Sequence, residues 1–203
     1  MFKNILKNFW EYNPEKDAEK ISEELVKFVL NSAFDVFRDR GFRKNFNFRE
    51  MTQVQRDKVY NELSISALCF TMFLIDDLAE VRAEEIYFWR QVKEKIPVIF
   101  RKWLKKLKIE EKSINYWQKL LDKRYEDYRL CQRDYRLKLE SVDKSFSKSK
   151  NDILKNDFIR FEALSFGFMY HIRKGKMKNN DPISKYLKTW LAILNKQIIK
   201  KVL

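Results

Sequence analysis

Leu63-Ser64-Ile65-Ser66-Ala67-Leu68-Cys69-Phe70-Thr71-Met72-Phe73-Leu74-Ile75 is apolar nearly all the way round a helical wheel. A helix at the surface keeps one apolar stripe and one polar face, whereas a helix apolar on every side has to be surrounded. The run therefore marks the centre of a domain. Thr52 followed by Gln55 supplies a capping box upstream, with side chain and backbone satisfying each other at the helix start. The run is too short to span a bilayer comfortably, and Ser64, Ser66 and Thr71 interrupt it. Downstream, Asp76-Asp77 is one candidate end. A continuous helix through Val81, Ile86, Trp89 and Val92 towards Pro97 is the other, and residues 63–95 read equally as one helix or two.

Working towards the N-terminus, Asn13-Pro14 is a helix start, a cap followed by proline at the first helical position. Ala18, Ile21, Leu25, Phe28, Val29, Ala33, Val36 and Phe37 form its apolar face, and Gly41 is the expected stop. Phe42 to Arg49 reads as a loop whose three phenylalanines plug the core. Phe2, Ile5, Leu6, Phe9 and Trp10 recur at helical spacing and predict a short amphipathic N-terminal helix. Docking on its own domain is the expectation, with a partner or a membrane interface as the other seats.

Working towards the C-terminus, Pro97 is read as opening a short helix with Phe100, Trp103, Leu104 and Leu107 inside. Ser113 caps the next element, where Ile114, Trp117, Leu121, Tyr125, Tyr128, Cys131, Tyr135, Leu139 and Val142 repeat at heptad spacing. Ser145 to Lys150 is a polar hinge, followed by a helix from about Asp152 to Arg173 and a basic loop from Lys174 to Asn180. Asp181-Pro182 repeats the cap-and-proline start, and Ile183, Tyr186, Leu187, Trp190, Leu194 and Ile198 line the last helix.

Only three glycines and three prolines occur among 203 residues, and no Asn-Gly or Asp-Gly pair is present to turn a hairpin. The expected fold is all-α: a single-domain bundle of about six to seven helices over residues 13–203, preceded by the amphipathic segment 1–12. Cys69 and Cys131 lie far apart in apolar helical runs, which predicts reduced thiols in a cytoplasmic protein. The N-terminus lacks the continuous apolar stretch of a secretory signal, and no transmembrane segment is expected.

The net charge of +14 is uneven: residues 1–100 carry 16 Lys and Arg against 17 Asp and Glu, and residues 101–203 carry 27 against 12. A neutral half joined to a basic half suggests a polyanionic or acidic partner for the second. Arg101, Lys102, Lys105, Lys106 and Lys108 cluster on one short helix, and Arg173, Lys174, Lys176 and Lys178 surround Gly175. These nine residues are the expected binding patch.

Catalytic signatures are sparse. His171 is the only histidine, so paired Glu-x-x-His sites and Cys/His zinc clusters cannot be built. Gly41, Gly167 and Gly175 compose no phosphate-binding loop. Asp76 and Glu80 share a helical face with Asp77 beside them, so carboxylates could converge on Mg²⁺. Over Asp76-Asp77-Leu78-Ala79-Glu80 the chain resembles the aspartate-rich motif of helical terpenoid synthases, which implies a diphosphate substrate. No second metal-binding motif accompanies it. The leading expectation is a non-enzymatic helical interaction protein or accessory subunit with a basic C-terminal half and no cofactor. A homo-oligomer is one arrangement it allows. A nucleic-acid-binding module and a Mg-dependent enzyme built on Asp76, Asp77 and Glu80 are the alternatives.

Overall fold

Seven α-helices and no strand make up the described residues, 14–142, 153–175 and 181–202, of a computed structural model. In chain order they are α1 (Pro14–Arg38), α2 (Arg40–Asn45), α3 (Gln53–Val81), α4 (Ile86–Lys106), α5 (Glu111–Val142), α6 (Ile153–Arg173) and α7 (Pro182–Val202). The amphipathic segment with Phe2, Ile5, Leu6, Phe9 and Trp10, the hinge 145–150, and Lys176 and Lys178 lie outside the described residues. No described helix is long and apolar enough to cross a membrane.

Every residue from Glu62 to Ile75 is buried, because α1, α4, α5, α6 and α7 all pack against α3. The capping box that starts α3 is formed: the Thr52 amide donates to Gln55 Oε1 at 2.8 Å and the Gln55 amide to Thr52 Oγ1 at 3.3 Å. Two helices, not one, follow from residue 53. Asp76-Asp77 lies within α3, and the break comes at Arg82 with a 3₁₀ turn over Ala83–Glu85.

Four local expectations fail for identifiable reasons. Gly41 does not stop α1, and Phe42 to Asn45, expected as loop, are helical in α2. Asp39 breaks the helix and caps α2, its carboxylate accepting the Phe42 amide at 2.8 Å. Pro97 opens nothing and sits inside α4, where its carbonyl receives Gln118 Nε2 at 3.3 Å. Ser113 lies inside the first turn of α5, which begins at Glu111. Asp181 does cap α7, accepting the Ile183 amide at 3.0 Å.

Successive helices fold back on each other. Phe100 meets Trp117 and Lys93 meets Tyr125 between α4 and α5. Tyr128 meets His171 and Tyr135 meets Phe166 between α5 and α6, while Asp157 meets Asn195 and Arg173 meets Asp181 between α6 and α7. Each register runs antiparallel. Helix α7 closes the bundle on α1, with Trp190 Nε1 donating to Ser32 Oγ at 2.9 Å. The α1–α3 and α6–α7 connections thus share one end, where Phe42 packs on Tyr186, Phe46 on Phe168, and Lys58 Nζ donates to the His171 carbonyl at 3.0 Å.

Gly167 lets α5 approach α6. The Tyr128 ring is fully buried over it, and a Cβ at position 167 would sit inside van der Waals contact with that ring. Tyr128 donates to Glu62 Oε1 at 2.8 Å, so Ser66 Oγ, also 2.8 Å away, donates to the phenol oxygen. The ring cannot tilt away without breaking both bonds. Gly167→Ala should lower unfolding free energy in urea by about 1–2 kcal/mol, the overpacking cost outweighing the roughly 1 kcal/mol that Ala gains over Gly in a helix. A variant as stable as the parent would show that the ring is free to move.

Candidate nucleic-acid interface

The expected basic patch divides once its partners are in place. Arg101 pairs with Glu111, which also holds Lys105 at 3.6 Å, and Lys102 reaches Glu19 of α1 at 2.5 Å. Arg173 binds the buried carboxylate of Asp181 at 2.9 Å. Lys106, Lys108 and Lys174 are exposed; Lys108 and Lys174 each take a positive φ just past a helix end.

The Asp76, Asp77 and Glu80 group does not converge either. Asp76 accepts both Lys93 Nζ, at 2.7 and 2.8 Å, and the Tyr125 hydroxyl at 2.9 Å. Asp77 turns instead to Arg160 of α6, a guanidinium 1% exposed that also pairs with Asp157. Glu80 is exposed. Successive residues of one helix point about 100° apart, which is why Asp76 and Asp77 find different neighbours. Among the described residues no group of three or more His, Cys, Asp or Glu is placed to hold a metal.

A denser group of unpaired cations lies elsewhere. Arg40, Arg43, Lys44, Arg49 and Arg56 line a surface cavity of about 730 Å³ at the end of the bundle, with Glu50 the only acid in its wall. None of the five pairs with a carboxylate among the described residues. Local backbone chemistry puts them there. Helix α2 ends in a Schellman turn: the Phe48 amide bonds to the Arg43 carbonyl at 3.0 Å, the Asn47 amide to Lys44 at 3.1 Å, and Asn47 takes a φ of 52°. That reversal drives Phe42, Phe46 and Phe48 into the core, 0%, 5% and 3% exposed, and leaves the intervening cations in water. Arg43 also lies over the Phe48 ring, 5.5 Å from its centre. Arg56 steadies the turn by donating through Nε and Nη2 to the Met51 carbonyl at 3.1 and 2.8 Å. A carbonyl does not cancel its charge.

The sequence carried this signal and half-chain averaging hid it. Residues 38–58 hold seven Lys and Arg against Asp39, Glu50 and Asp57, inside a half whose sum is near zero.

A second cavity, of about 420 Å³, opens between α5 and α6. Its floor is a chain of polar contacts. Arg124 Nε donates to buried Glu62 at 2.7 Å, Arg124 Nη1 to Asp127 at 3.3 Å, and His171 Nε2 lies 3.5 Å from the same Asp127 oxygen. Burial, aided by the Arg124 charge, pushes the His171 pKa down to about 4, so the imidazole is neutral near pH 7. Comparison with protein-family models, curated proteins and solved structures finds no match to this chain.

A histidine whose folded pKa lies below its unfolded value binds its proton more readily in the unfolded chain. Its contribution to stability is complete above pH 6.5 and is lost as pH falls through the window down to about 4. Burial drives the Asp157 carboxyl up to about 6, which has the opposite sign over part of that window. The difference in unfolding free energy between the parent and His171→Gln removes that background. It should shrink by about 3 kcal/mol between pH 7 and pH 4. A difference independent of pH would show that the imidazole titrates normally.

Proposed function

We propose that the protein binds nucleic acid through the end of the bundle that carries Arg40, Arg43, Lys44, Arg49 and Arg56. One observation carries this reading: five cations line one cavity whose wall holds a single acid, Glu50, and among the described residues none of the five is paired with a carboxylate. Cations already held by Glu or Asp gain little by exchanging one anion for another. Unpaired ones gain the entropy of the counterions they displace from a phosphate backbone. The sequence alone suggested a polyanionic or acidic partner for the basic C-terminal half; the pairing of Arg101, Lys102, Lys105 and Arg173 with carboxylates weighs against that half as the contact. Cys69 and Cys131 are both free thiols, which supports a cytoplasmic setting.

Binding through such contacts is steep in salt. Five phosphate contacts give a slope of log K against log salt of about −4. Fluorescence anisotropy with labelled DNA and RNA at about 50 mM salt, where electrostatic binders are tight, should show binding that weakens along that slope. Reversing Arg40, Arg43 and Arg49 to Glu should weaken it at least about 100-fold, while reversing Lys102 and Lys105 changes it less than about two-fold. Absence of binding at low salt, or loss only in the Lys102 and Lys105 variant, overturns the reading. Binding confined to acidic proteins or anionic vesicles overturns it as well.

A further inference from the structure

The cavity between α5 and α6 has the chemistry of a seat for a flat heteroaromatic ring. Two aromatic side chains stay at its surface, Phe166 at 37% and Tyr170 at 50% exposure, with their rings near parallel at 19° and 6.3 Å between centres. Tyr135 of α5 meets Phe166 edge-on at 6.2 Å, and Tyr170 meets His171 edge-on at 5.6 Å, so neighbouring rings hold the pair in place. Exposed aromatics held in this way form a stacking platform, and base stacking tolerates any sequence because every base has a π-face. In the same lining, Asp127 offers an acceptor and His171 a neutral polar edge. The volume, about 420 Å³, falls in the range of small-ligand pockets.

Charge ties this groove to the basic rim. Arg56 lines the rim cavity, and two residues further along α3 Lys58 bonds to the carbonyl of His171, which lines the groove. Lys58, Lys123 and Arg124 all lie close enough to His171 to act on its protonation. A phosphate backbone on the rim would therefore find cations continuing to the mouth of the groove. An apolar protein surface would not need them.

We infer that the α5–α6 groove takes an unpaired base stacked on Tyr170 and Phe166, so that the protein prefers single-stranded to duplex nucleic acid. This rests on the binding proposed above and adds the class of strand. A base within a duplex stays stacked on its neighbours and cannot reach the platform without leaving the helix.

The test compares three labelled probes on the full chain by anisotropy: a single strand of about 10 nucleotides, within the usual site size, the same backbone with abasic sites, and a duplex of equal length. The single strand should bind about ten-fold more tightly than either of the others. Tyr170→Ala should remove most of that advantage and leave abasic and duplex binding, and the salt slope, within about two-fold; Tyr170→Phe should keep it. Equal affinity for base-bearing and abasic strands overturns the inference in the unmodified protein, whatever the variants do. So does a uniform loss on all probes in Tyr170→Ala. In both cases binding through the rim still stands. Only the absence of binding to every probe removes both.

Discussion

Helix α3 has no face that water can wet over its central turns, and the arrangement of the other helices follows from covering it. Burying a large aliphatic or aromatic side chain is worth about 1.5–3 kcal/mol, and the run from Leu63 to Ile75 supplies one at most positions. The chain meets this demand with antiparallel returns from α4 through α7 and a final contact between α7 and α1. The α1–α3 and α6–α7 connections meet in consequence, and with them come Arg40, Arg43, Lys44, Arg49, Arg56 and Lys58.

The same packing decides which charges remain available. Arg160 is drawn into the core between Asp77 and Asp157, and its burial lowers its pKa to about 10. Arg124 is held by Glu62, and Lys93 by Asp76 and Tyr125. A buried ion pair of this sort adds little net stability yet is costly to break, so these cations are committed to the fold. Of the rim cations, Arg56 steadies the turn from α3, but Arg40, Arg43, Lys44 and Arg49 are not committed in this way. They stand on a short helix and a turn whose apolar residues alternate with them, so anchoring the backbone and exposing the charge are one event.

Much of the architecture could be read from the residues. The capping box at Thr52 and Gln55, the starts at Pro14 and Pro182, and the buried faces of α1 and α7 all depend on neighbours in sequence, and local chemistry sets them. Gly41 and Pro97 misled because each acts as a breaker only when tertiary packing allows. Asp39 captured the Phe42 amide and turned the chain two residues before Gly41, while α4 runs through Pro97 packed on α1, α3 and α5. The candidate site was harder to read for a different reason. Whether a lysine is free depends on a carboxylate that can be far away in sequence, as Glu19 is from Lys102. Charge counts weigh a paired and an unpaired cation alike. The aromatic platform was hidden too, since Tyr128 and Tyr135 of one stripe have different fates: the first is fully buried and the second only half-buried against Phe166.

Amide chemical-shift mapping by NMR, with a short single-stranded oligonucleotide titrated at low salt, tests most directly whether unpaired rather than merely numerous cations define the binding surface. The account predicts shifts concentrated at residues 40–58 and 166–175, with the α4 cluster from Arg101 to Lys108 unmoved. Shifts centred on that α4 cluster, or none at saturating oligonucleotide, would contradict it.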